Sequence, residues 1–307
     1  MTVDLSLSLG DVSFKNPVFV ASGTFGYGTE TNDLVNVSQL GAIVTKSITK
    51  HPREGNPPPR IVETPSGMIN SIGLANIGVD KYIEDMIPIY ENMGTQVITN
   101  IAGFSIDDYL YVLEKLESSG GNVCGYEINI SCPNVDNGRM VFAVDPNATK
   151  ELTKTLRSAT KKLLILKLSP NVSDIGEIAI AGVEGGADVL SAINTLFGMS
   201  IDPATRRPNV NTNIGGLSGP SIRPVGIASV FKISEAVDVP IIGIGGITSA
   251  KDVIEYLLAG ASAVQVGTAN YRDAAIAQKI INDLSSYCEL NDVATLRDLI
   301  GKVKPYE

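Results

Sequence analysis

Eight short apolar runs, at residues 17–21, 42–45, 96–99, 126–130, 163–166, 189–193, 241–244 and 263–266, recur along the chain and alternate with longer segments. Each is of strand length and rich in Val and Ile, the composition of a parallel strand covered on both faces. Several intervening segments have helical period. Ile106, Tyr109, Leu110, Leu113 and Leu116 form one stripe, and Ala148, Leu152 and Leu156 another. Asp145-Pro146 reads as an N-cap followed by a first-turn proline. Ser249 with Asp252 three residues later resembles a capping box ahead of Val253, Ile254, Leu257 and Leu258. A helix is also expected between the first two runs, around residues 34–40. Before the first run, Val3, Leu5, Leu7, Leu9, Val12 and Phe14 alternate, with Gly10-Asp11 able to turn tightly, which predicts a small β-hairpin.

Eight β–α alternations with no break in composition predict an α/β protein, a (β/α)8 TIM barrel with a short N-terminal β-hairpin, as a single domain over 1–307. An open doubly wound sheet would carry its phosphate-binding glycines after the first strand. Here the glycine pairs come last, which favours the barrel.

A barrel enzyme builds its site from the C-terminal ends of its strands. The residues that end the eight runs are Ser22, Lys46-Ser47, Asn100, Asn129-Ile-Ser-Cys132, Lys167, Asn194-Thr195, Gly245-Gly246 and Gly267-Thr268. Turn propensity accounts for some of these, since Gly, Ser and Asn favour chain reversals. It does not account for three asparagines and two lysines at equivalent places. The glycines after runs seven and eight lie where barrels commonly bind phosphate, and glycine lets backbone N–H groups approach an anion.

Cys132 is the candidate catalytic residue, because its polar flanks and strand-end position differ from those of a buried inert thiol. Cys124 and Cys288 take the inert reading. Three cysteines without a Cys-x-x-Cys pair give neither a disulfide framework nor a cysteine-only metal site, and suggest a reducing compartment. The one histidine, His51, lies in a proline-rich polar loop and reads as an exposed loop residue, which argues against a histidine-based triad. With no such partner, the Cys132 thiol suits direct proton uptake better than acyl transfer. Asp and Glu outnumber Lys and Arg, 33 to 24, and the formal charge of −9 disfavours nucleic acid and anionic membrane as partners. With neither a signal peptide nor an apolar run of spanning length in view, a cytoplasmic location is expected.

Taken together, Asn129-Ile-Ser-Cys-Pro-Asn134, Asn70-Ser-Ile-Gly-Leu-Ala-Asn76, Lys46-Ser47, Arg53-Glu-Gly-Asn56 and the two late glycine motifs resemble class 1 dihydroorotate dehydrogenases along essentially the whole chain. Residues 21–28 and 196–208 resemble the NAD-dependent 1B type in particular. The resemblance implies one FMN per chain at the barrel mouth and oxidation of dihydroorotate to orotate in pyrimidine synthesis. It implies FMN contacts from Ser22, Lys46, Ser47, Asn100, Asn129, Lys167, Ile193 and Gly219, with Gly245, Gly246, Gly267 and Thr268 around the phosphate. Substrate would meet Lys46, Asn70, Ser71, Ile72, Gly73, Leu74, Asn129, Asn194 and Thr195, and Cys132 would be the base.

The chain has no dinucleotide fingerprint, no cluster-binding cysteines and no membrane helix. The 1B resemblance therefore implies a separate electron-transfer subunit carrying FAD and a [2Fe–2S] cluster that passes electrons to NAD, in a heterotetramer of two catalytic and two electron-transfer subunits. Segment 133–140, polar with an Asn-Gly turn, reads equally as a lid or as an ordinary surface loop. Two other readings stay open: a fumarate-dependent class 1A enzyme, and a Schiff-base aldolase with Lys167 as the amine nucleophile.

Overall fold

The computed structural model describes residues 3–31, 33–131 and 142–306. Eight parallel strands close into a barrel in which every strand lies beside its neighbours in sequence. They are β1 (Val18–Val20), β2 (Ala42–Val44), β3 (Gln96–Ile101), β4 (Gly125–Asn129), β5 (Leu163–Leu168), β6 (Val189–Ala192), β7 (Ile241–Ile244) and β8 (Ala263–Val266). All eight apolar runs are barrel strands. Because the strands run parallel, their C-terminal ends share one rim, and the polar residues that close the runs converge there.

The expected hairpin forms from Leu7–Leu9 and Val12–Phe14, with Leu9 opposite Val12 across the turn. Its inward face carries Leu9 and Phe14, 0% and 2% exposed, and these plug the N-terminal end of the barrel against Phe19, Val44, Ile98 and Ile165. The Phe14 and Phe19 rings lie 4.8 Å apart. Burying side chains of this size contributes roughly 1.5–3 kcal/mol each.

The helical stripes become Ile106–Ser118, which buries Tyr109, Val112, Leu113 and Leu116, and Pro146–Ala159, which buries Ala148, Leu152 and Leu156. Asp145 caps the second by accepting from the N–H groups of Asn147 and Ala148. Ser249 caps the helix Ala250–Leu258 through the Asp252 N–H. Asp252, however, does not reach back to complete a capping box. Its carboxylate accepts from the Thr248 N–H and hydroxyl and pairs with Arg223.

The helix expected around 34–40 is absent. Only a 3-10 turn, Val37–Gln39, forms there, because the Asn36 side chain caps it midway through the segment by accepting from the Ser38 N–H. One further feature comes from loops. The loop after β2 carries Ile61–Thr64 and Gly67–Asn70, and the loop after β6 carries Leu196–Gly198 and Gly215–Ser218. These four strands pair into one antiparallel sheet on the C-terminal side of the barrel. Among the described residues, no helix is long and apolar enough to cross a membrane.

Candidate active site

Inside the barrel the apolar floor gives way to a polar layer centred on Glu127, which is fully buried on β4. Its Oε1 accepts from Asn100 Nδ2 on β3 at 2.7 Å and from Lys167 Nζ on β5 at 3.3 Å. Its Oε2 accepts from Ser191 Oγ on β6 at 2.9 Å and from Gln265 Nε2 on β8 at 2.6 Å. A buried charge persists only when paired and hydrogen-bonded, and here four donors from four strands meet that requirement. β3 and β5 each extend two residues beyond the apolar runs. Asn100 and Lys167 are therefore strand residues that point inward, rather than turn residues.

A carboxylate only accepts, so both amides must turn their NH2 groups toward Glu127. The carbonyl oxygens of Asn100 and Gln265 are consequently buried with no hydrogen-bond partner. Buried orphan acceptors are uncommon in native structures and point to a missing donor.

One layer toward the rim, Asn129 at the end of β4 accepts from Asn194 Nδ2 at 3.1 Å and from the Ser131 N–H at 3.3 Å. Asn194 in turn accepts from the Thr195 N–H at 2.7 Å. Ile193 is buried just after β6. Lys46 follows β2, and its ammonium has no ion-pair partner among the described residues. Burial pushes its pKa down, the nearby Arg60 guanidinium adds to the effect, and Glu30 opposes both. Arg60 itself has a buried Nε without a partner. Two neighbouring cations, neither of them ion-paired among the described residues, are suited to hold an anion. Ser22 and Ser47 lie beside the same rim, Ser47 buried.

The 70–74 segment is fixed from several directions. Asn70 donates to the Gly216 carbonyl at 3.2 Å, and the Ser71 N–H donates to the Arg60 carbonyl at 2.7 Å. The Asn56 N–H holds the Ile72 carbonyl at 3.0 Å. Gly73 is left-handed at φ 73°, and so is Leu74 at φ 57°, a conformation that strains a bulky residue and is retained only where the surroundings enforce it. Asn76 supplies part of that enforcement by donating to the Leu74 carbonyl at 2.7 Å.

At the opposite side of the rim, Gly245 and Gly246 adopt φ 128° and 68°. A Cβ on Gly246 would meet the Gly219 carbonyl and Arg223 at 2.8 Å. Thr268, just beyond Gly267, opens a 3-10 turn whose first N–H groups have no partner within it. Its hydroxyl donates to Ser218 at 2.8 Å, which ties this corner to the overlying sheet. Of the expected site residues, Cys132 and segment 133–140 lie outside the described residues; Ser131, just before them, is half-buried with an unpartnered hydroxyl. His51 is exposed in its loop.

The profile of a protein family described as dihydroorotate dehydrogenase matches residues 4–288. The chain belongs to the dihydroorotate dehydrogenase family. A relative from Geotalea uraniireducens, named dihydroorotate dehydrogenase B (NAD(+)), catalytic subunit, is 49% identical over 298 residues, covering 97% of each chain. A relative of the same name from Bacteroides thetaiotaomicron is 45% identical over 301 residues, covering 98% of this chain and 99% of its own. Among solved structures, dihydroorotate dehydrogenase from Eimeria tenella in complex with ferulenol shares the fold at TM-score 0.80. It is 22% identical, with 97% of this chain and 88% of that one covered.

Sequence reading missed Glu127, Ser191, Gln265 and Arg60 in this dehydrogenase-family barrel. A glutamate inside an otherwise apolar, strand-length run was the available signal for the first. The Lys167–Glu127 pair also argues against the aldolase alternative, since an ion-paired ammonium has no lone pair with which to attack a carbonyl. Lys167→Met is expected to leave Glu127 without its counter-charge and to cost about 3–5 kcal/mol in urea denaturation of the purified chain. A loss below about 1 kcal/mol, the range of a surface pair, would contradict that weight.

Proposed function

We propose that the chain is the catalytic subunit of an NAD-type dihydroorotate dehydrogenase, binding FMN and oxidising dihydroorotate to orotate in pyrimidine synthesis. The observation that carries the reading is the C-terminal end of a family-matched barrel, which holds Lys46 without an ion-pair partner among the described residues and linked Asn129 and Asn194 at the rim, above ion-paired Lys167 and the orphan Asn100 carbonyl. The residues present fit FMN. Asn100 Oδ1 is an acceptor awaiting a ring N–H, and Lys167 retains donors beyond the one given to Glu127. Ser22, Ser47, Asn129, Ile193 and Gly219 would complete the ring and ribityl contacts. Gly245, Gly246, Gly267 and Thr268 would take the phosphate through backbone N–H groups. Bound FMN would supply the acceptor for the hydride from C6 of dihydroorotate.

The chain's own residues supply the rest. Lys46, assisted by Arg60, would bind the substrate carboxylate. Asparagine offers a donor pair and an acceptor on one group, so Asn70, Asn129 and Asn194 suit the amide-like edges of the ring. Ser71, Ile72, Gly73, Leu74 and Thr195 would line its sides on a backbone already held in place. Cys132 Sγ would take the proton from C5. Lys167 would balance the negative charge that reduction adds at the cofactor.

Electrons would leave through a partner subunit carrying FAD and [2Fe–2S], two of each subunit forming a heterotetramer in the cytoplasm. The B-type names of the relatives support this over the fumarate-dependent reading. The isolated chain should then reduce NAD+ and fumarate only slowly in a dihydroorotate-dependent assay. Brisk fumarate reduction would favour the class 1A alternative.

Cys132→Ala should still purify yellow and bind orotate, with kcat lowered about 10²–10⁴-fold, the weight of a general base. A near-normal rate, or a colourless wild-type protein that refuses FMN, would reject the reading. Lys46 gives a pH dependence whose sign is fixed. Its protonated form attracts the carboxylate, and burial places its pKa below the 10.5 of a free lysine. Orotate affinity should therefore fall as pH rises through that lowered value, before an ordinary lysine would titrate. Lys46→Met should flatten the profile, as read by fluorescence or calorimetric titration.

A further inference from the structure

We propose that Glu127 is a positioning residue that sets the polarity of the cofactor-binding surface, and through it the reduction potential of bound FMN; this rests on the FMN reading above. Glu127 does not lie at the rim, and it is fully buried beneath it. Yet it is bonded directly to two residues assigned to the ring, Asn100 at 2.7 Å and Lys167 at 3.3 Å. The other two donors, Ser191 and Gln265, hold its second oxygen and so fix the plane of the carboxylate.

Two consequences follow from its chemistry. First, an acceptor-only group dictates which way each amide faces. With its NH2 taken by Glu127, Asn100 presents a carbonyl, and the same holds for Gln265. A neutral group at position 127 could donate as readily as accept, and both amides could then turn over. Second, the carboxylate offsets the charge of Lys167. Little water reaches this layer, with side-chain exposure of 7% at Lys167 and 0% at Glu127, so charges here act at low effective dielectric. Removing the anion leaves net positive charge beneath the ring, and positive charge favours the electron-rich, reduced cofactor.

The test uses the FMN-loaded catalytic chain and reads the midpoint potential spectroelectrochemically, independently of turnover. Glu127→Gln should shift the oxidised-to-reduced equilibrium toward reduced FMN by on the order of tenfold, a rise of about 30 mV for a two-electron couple. Lys167→Met should shift it in the opposite direction. Glu127→Asp keeps the charge but shortens the reach. It should leave the potential near that of wild type while weakening FMN binding by on the order of tenfold.

An unchanged potential in Glu127→Gln, or equal shifts in the Gln and Asp variants, would mean that the carboxylate acts through shape alone and would overturn the proposal. If Glu127→Gln does not fold, unaltered FMN affinity in Glu127→Asp would overturn it equally. A wild-type chain that binds no FMN fails the functional reading itself, an outcome distinct from either.

Discussion

One carboxylate organises the upper half of this barrel. Glu127 draws donors from β3, β5, β6 and β8 to a single point on the axis, so its desolvation is offset only when all four strands hold their register. A one-residue slip in any of them would turn its donor outward, because strand side chains alternate between faces. The polar layer therefore acts as a register lock above an apolar floor that, by itself, would tolerate exchanges among Val, Ile and Leu.

The lock also explains how the mouth can carry so much unsatisfied chemistry. Among the described residues, Asn100 and Gln265 keep bare carbonyls and Lys46 an ammonium without an ion-pair partner, while Leu74 keeps a left-handed backbone. Each of these is unfavourable alone. They persist because the elements beneath and around them are over-determined: the barrel by its closed hydrogen bonding, and the 70–74 segment by Arg60, Asn56, Asn76 and Gly216. The overlying four-stranded sheet joins the loops after β2 and β6, so the two halves of the rim that carry the asparagines are fixed to each other.

Legibility in the sequence followed the range of the interactions. The eight strands, the hairpin and the capped helices rest on periodicity and on contacts within a few residues, and all were readable. The helix expected around 34–40 rested on the β–α alternation alone, and it gave way to a 3-10 turn because the Asn36 side chain accepts from the Ser38 N–H. The four-stranded sheet was not readable, because its strands pair across separations such as Asn70 with Gly216 and are too short to carry a pattern of their own. Gln265 sits 138 residues from Glu127, and nothing local to either announces the other.

The sequence by itself determined the architecture and the identity of the rim, because strands that all run parallel must bring whatever ends them to one rim. It also determined which residue types would meet there: asparagines, lysines and glycines. Only the tertiary structure decided which of them are charged pairs, which are orphan acceptors and which way each amide points. Those properties depend on distance, burial and the direction of donors, and these come into being only when strands remote in the chain close around a common axis.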